Sequence, residues 1–200
     1  MRHAPRVALV VLAACTSKGA PSPTGACGAC AEHADAETVG SLASTDLVEL
    51  SGLAASARHK GALYTHNDSG DRARFFALDD RAALRATYEL DGVTATDVED
   101  VAVGPCPAGS CVFLGDVGDN GEVRAAVQIY RVSEPELADG RLAPEVLTLT
   151  YPDGPHNAET LLVSPESGDL VIVTKTPTGR SGVYTVPGRA VPGRAVLRKV

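Results

Sequence analysis

Asp97-Val98-Glu99-Asp100-Val101-Ala102-Val103, followed by the turn-rich Gly104-Pro105-Cys106-Pro107-Ala108-Gly109-Ser110 and then Val112-Phe113-Leu114-Gly115-Asp116, carries the pattern that organises this chain. Acidic residues lead into a short apolar run, and a second apolar run opens into the polar loop Gly115-Asp116-Val117-Gly118-Asp119-Asn120. Short runs of branched residues bounded by Gly, Pro, Asn and Asp read as strands. The order recurs on both sides. Ser51-Gly52-Leu53-Ala54-Ala55 and Glu159-Thr160-Leu161-Leu162-Val163 stand as first strands, with Ala62-Leu63-Tyr64-Thr65 and Leu170-Val171-Ile172-Val173 as second strands. A period of about 50–60 residues marks a repeat architecture.

Each second run meets a loop rich in turn formers: His66-Asn67-Asp68-Ser69-Gly70-Asp71 in the first unit and Thr174-Lys175-Thr176-Pro177-Thr178-Gly179 in the third. A third strand follows, at Arg74-Phe75-Phe76-Ala77-Leu78, Val127 to Val132, and Gly182 to Val186. A fourth is expected at Arg85 to Leu90, Val146 to Tyr151, and Val196 to Val200. Helix-period segments are nearly absent, although Asp79 to Leu84 has room for one helical turn. The predicted fold class is all-β: a β-propeller with about three four-stranded antiparallel blades, over residues 45–92, 93–152 and 153–200. A β-sandwich of similar strand count is the competing architecture, but it has no reason to repeat a whole four-strand unit in register. Propellers close with at least four blades. Three blades therefore predict a fragment of a longer protein, with two apolar sheet faces exposed and covered by further blades of the same protein or by a self-associated copy.

Ahead of the repeats, Arg2, His3 and Arg6 precede the apolar Val7-Ala8-Leu9-Val10-Val11-Leu12 and the small Ala13-Ala14, the three regions of a secretory signal peptide. Leu12-Ala13-Ala14-Cys15 resembles the bacterial lipobox, which implies cleavage after residue 14 and lipidation, including palmitate, on Cys15. Thr16 after the cysteine implies an outer-membrane destination, facing the periplasm or the cell surface. Residues 15–44 are rich in Ala, Gly, Pro and Ser and read as a flexible tether. A net charge of −7 argues against nucleic acid as partner. Beyond Cys15 the remaining cysteines are even in number, which in an oxidising compartment favours disulfides. Cys106 with Cys111 reads as a stapled hairpin tip. Cys27 with Cys30 leaves three readings open: a small disulfide loop, a redox pair, or half of a metal site.

Glu49-Leu50-Ser51-Gly52-Leu53-Ala54, the loop His66 to Asp71, Asp97 to Ala102, the loop Gly115 to Asn120, and His156-Asn157-Ala158-Glu159-Thr160-Leu161-Leu162 together resemble a family of exported bacterial propeller proteins. More distantly they are similar to calcium-dependent propeller phytases and lactonases. In such folds the strand entries and the loops after the second strands gather near the central channel. Asn67, Asp68, Glu99, Asp100, Asp116, Asp119 and Glu159 are accordingly the candidate oxygen ligands, with calcium as the candidate cofactor. The same residues also serve in tight turns, where Asp and Asn cap their own amides. His66 and His156 are candidates for base, ligand or hydrogen-bond donor. Lys175 stands where Asn67 and Asp116 stand in the other units and is a candidate contact for an anion. The leading expectation is a lipid-anchored module that binds a protein, glycan or small-molecule ligand. The alternative is a calcium-dependent hydrolase of a phosphate ester or lactone.

Overall fold

A computed structural model describes residues 35–187 and 192–200; Cys15, Cys27 and Cys30, and with them the expected signal, anchor and first tether residues, lie outside the described residues. Every regular element among the described residues is a strand. The first sheet is an antiparallel meander of β1 (Leu50–Ala55), β2 (Ala62–Asn67), β3 (Arg74–Asp79) and β4 (Leu84–Leu90). The second is built on β5 (Asp100–Cys106), β6 (Gly109–Asp116), β7 (Val127–Ser133) and β9 (Glu145–Thr150). The third is built on β10 (Ala158–Val163), β11 (Leu170–Thr174), β12 (Val183–Val186) and β14 (Arg198–Lys199).

Two short strands leave their own sheet. β8 (Gly140–Leu142), in the connection between β7 and β9, pairs in parallel with β4 of the first sheet, Tyr88 opposite Gly140 and Leu90 opposite Leu142. β13 (Gly193–Val196), between β12 and β14, does the same to β9 of the second sheet. The expected single strand Val196 to Val200 is thus divided: Val196 ends β13 beside Thr150, and Arg198 begins β14 beside Thr185. Each edge strand would otherwise present unpaired amides, and the strap from the following unit satisfies them. Asp79 to Leu84 forms a tight turn in place of a helical one: the Asp79 carboxylate accepts the amides of Arg81 and Ala83, and Ala82 takes a left-handed φ of 63°.

The second sheet is buried on both faces, which explains its near-continuous apolar runs. Val112, Leu114, Tyr130 and Val132 pack against Tyr64, Phe75 and Tyr88 of the first sheet. Phe113, Ile129, Leu147 and Leu149 pack against Leu161, Ile172 and Tyr184 of the third. The expectation of two exposed apolar faces is corrected for the first sheet. Leu42, placed by the sequence in the tether, joins Leu47 and Leu50 over Phe76 and Leu78, and the Arg74 guanidinium lies 4.9 Å from the Phe76 ring. Among the described residues nothing covers the outer face of the third sheet, with Leu162 and Val183 exposed and Val171 and Val173 half-buried between them. The disulfide Cys106–Cys111 spans the β5–β6 turn, with Cα atoms 5.8 Å apart.

Candidate functional site

The first strands of the three sheets lie side by side, β5 between β1 and β10. Their entries are tied by side-chain to backbone bonds. Ser51 Oγ donates to the Glu99 carbonyl at 3.2 Å, and the Leu161 amide donates to Asp100 Oδ2 at 2.8 Å. The approach is close enough that Gly52, at φ +59°, has no room for a side chain: an added Cβ would lie 2.8 Å from each of Asp100 Oδ1, His66 Nε2 and the Val101 nitrogen. A kink in the β1 register falls at the same place.

At the end of the sheets where these strands begin and β2, β6 and β11 finish, three carboxylates meet. Asp68, Asp97 and Glu99 each offer an oxygen within 4.8 Å of the other two. Asp68 and Glu99 belong to the expected ligand set; Asp97 does not. The signal for Asp97 was in the sequence, since residues two apart in extended chain point to the same side. Asp97 and Glu99 therefore share a face, and Asp100 turns away into the strand contact described above. Burial, reinforced by the charges of Glu159, Asp68 and Asp97 against the opposing Lys175, pushes the Glu99 carboxyl up to about 7. Asp97 is also raised, by burial and then by Asp68, with Arg124 opposing.

The other expected ligands are engaged elsewhere. The Asn67 side chain accepts the amides of Val48 and Glu49 and donates to the Asp46 carbonyl and to Asp71, which uses its whole hydrogen-bonding capacity. Asp100 accepts the Val101 and Leu161 amides. Asp116, with no exposed surface, accepts the amides of Thr96 and Asp97 and the Tyr130 hydroxyl, and pairs with Arg124 at 2.9 Å. Arg124 also donates to the Gly118 carbonyl at 2.7 Å, so one buried ion pair sets both the Asp97 segment and the Gly118 loop. Asp119 accepts the Arg124 amide and donates its own amide to Asn157. Glu159 pairs with Lys175 at 2.7 Å beside the acidic cluster.

The two candidate histidines fall apart. His66 is wholly buried, its Nδ1 within 2.7 Å of the Asn67 carbonyl, and burial lowers its pKa. His156 lies outside the cluster, against Asp153 and the Tyr184 hydroxyl at 2.9 and 2.8 Å, with Lys199 completing the group. The repeat register for Lys175 shifts by one residue. The Lys175 amide bonds to Asn157 as the Asp68 amide bonds to Glu49, so Lys175 corresponds to Asp68, and Thr174 to Asn67.

Beside the carboxylates a cleft of about 370 Å³ opens between the loops of the second and third sheets, lined by Asn120, Gly121, Glu122, Asn157, Lys175, Thr176 and Pro177. It presents amides, a hydroxyl, a carboxylate and an ammonium within one concave surface. No helix among the described residues is long and apolar enough to cross a membrane. No protein-family model matches the chain, and neither does any curated protein.

Proposed function

We propose that the three sheets are consecutive blades of an exported β-propeller, lipid-anchored through Cys15 to the outer membrane, and that the end bearing the cleft binds a polar ligand outside the cell. The adjacency of β1, β5 and β10 supports the propeller, as do the strapped outer edges and the twofold burial of the middle sheet. The open face of Leu162, Val171, Val173 and Val183 matches the face that each earlier sheet presents to its neighbour, and a further blade of the same protein is its fitting occupant.

The observation that carries the binding reading is the cleft between Asn120 and Lys175. Its mixture of side-chain amides, one hydroxyl and one cation suits a hydroxyl-rich ligand such as a glycan, which is recognised through many directed hydrogen bonds. Screening the chain against immobilised envelope glycans tests this. Binding is expected, and Asn120→Ala should weaken it by up to about tenfold, the value of a hydrogen bond. No binder in the screen, or equal binding by the Asn120→Ala, Lys175→Ala double variant, would refute it. The anchor has its own test: Cys15→Ala should abolish incorporation of labelled palmitate and release the protein from the membrane fraction.

A further inference from the structure

We propose that Asp68, Asp97 and Glu99 form a binding site for one hard divalent cation, with calcium the best match. The cluster alone would be weak ground, since carboxylates gather on many surfaces. What distinguishes this one is that its most buried member has nothing to bond to. Glu99 is 7 % exposed, yet its carboxylate accepts no hydrogen bond from any described residue. Asp97 Oδ1 is likewise buried and without a partner. The other buried carboxylates of this part of the fold each have at least one oxygen met: Asp116 by two amides, a hydroxyl and Arg124, Asp119 by the Arg124 amide, and Glu134, through Oε1 alone, by Ser56, Tyr64 and the Arg58 amide. A buried, unsatisfied carboxylate costs several kcal/mol, about as much as an unpaired charge in a core. Asp97 Oδ1 is such an unsatisfied oxygen, and with the Asp97 and Glu99 carboxylates offering oxygens within 4.8 Å of each other, the pair points to an occupant that supplies positive charge to both.

The surroundings leave that place open. Gly118 turns its Cα towards the cluster, where an added Cβ would come within 2.4 Å of Asp97 Oδ2 and 2.5 Å of Glu99 Oε1. The nearest ammonium, Lys175, is held by Glu159. His66 Nε2 faces Gly52 and Asp100 and does not join. The donor set is oxygen alone, which selects calcium, magnesium or manganese over zinc or copper. Calcium accepts irregular geometry and completes its shell with waters, so three carboxylates on two loops and a strand entry suffice. A proton shared among the three carboxylates is the competing occupant.

The cation site uses none of the cleft's lining residues as ligands and has only Lys175 as a common neighbour, so glycan binding can fail with the cation site intact, and the reverse. The test is calorimetric titration of the chelator-treated chain with calcium chloride, paired with melting curves. Saturable uptake of one calcium per chain is expected, with Kd on the order of 0.1–1 mM as in extracellular calcium modules, together with a calcium-dependent rise in Tm. Glu99→Gln should abolish uptake and also raise the Tm of the metal-free chain by about 3 °C, because it removes an unpaired buried charge. Gly118→Ala keeps every charge and fills the space, and should weaken uptake at least tenfold. Lys175→Gln removes a neighbouring cation and should tighten it several-fold. No saturable uptake by the folded chain up to about ten times that concentration range, or uptake unchanged in both Glu99→Gln and Gly118→Ala, would overturn the proposal. A metal-insensitive Tm that rises in Glu99→Gln would assign the place to the shared proton.

Discussion

Asp116 shows how one side chain sets the geometry of residues that do other work. Its carboxylate fixes the amides of Thr96 and Asp97, and its partner Arg124 fixes the Gly118 loop. Removing one member of a buried ion pair strands the other, at about 3–5 kcal/mol. Asp116→Ala is expected to lose about 3 kcal/mol in urea unfolding, a cost measured directly from the midpoint at unchanged slope. The sequence placed Asp116 among the metal ligands because Asp after an apolar strand reads alike in both roles. Which role it plays depends on Arg124 and Tyr130, eight and fourteen residues further along the chain, being brought back to it. Asp97 is the opposite case, since its alternation with Glu99 was legible and only the approach of Asp68 from another sheet completes the group.

At the level of elements, the strap β8 depends on Glu134. The residue leads out of β7 and is held against the first sheet's β1–β2 turn by Ser56, the Arg58 amide and Tyr64, while His59 meets the Pro135 carbonyl at 2.8 Å. Burial alone would raise the Glu134 carboxyl, but Ser110 together with these hydrogen bonds outweighs it and holds the group below its ordinary value. A depressed carboxyl stabilises the fold above the unfolded-state value of about 4.3, and that stability is lost as pH falls through the folded-state value. Glu134→Gln should cost about 1.5–3 kcal/mol at pH 7. Between about pH 5 and pH 2 its stability should then fall less steeply than that of the wild type, as followed by denaturant midpoints. The Cys106–Cys111 staple closes a loop of only a few residues, so replacing both by Ala should cost about 2 kcal/mol. Chemical unfolding with and without reductant reads the same quantity.

At the scale of the molecule, the two outer faces differ. The first sheet carries its cover in Leu42, Leu47 and Leu50, and the third carries none among the described residues. Exposed apolar sheet of this kind associates. The chain by itself should self-associate in sedimentation velocity, and Leu162→Lys with Val183→Lys should shift it towards the monomer without altering the circular dichroism spectrum. Association unchanged by both lysines would show that this face is not the one in use.

Strand class, the three-unit repeat and the stapled hairpin were readable because they are local: an apolar run, its turn residues and two cysteines close in sequence state their own geometry. The straps β8 and β13 were not, because Gly140-Arg141-Leu142 and Gly193-Arg194-Ala195-Val196 carry little strand propensity and become strands only against an edge supplied by the preceding unit. The division of acidic residues followed the same rule. The sequence determined that Asp, Asn and Glu would gather where strands begin and end, as turn chemistry requires. Only the packing of three sheets decided which of them would be paid in hydrogen bonds and which, at Asp97 and Glu99, would face each other with none, because the partners that satisfy a buried carboxylate come from distant segments.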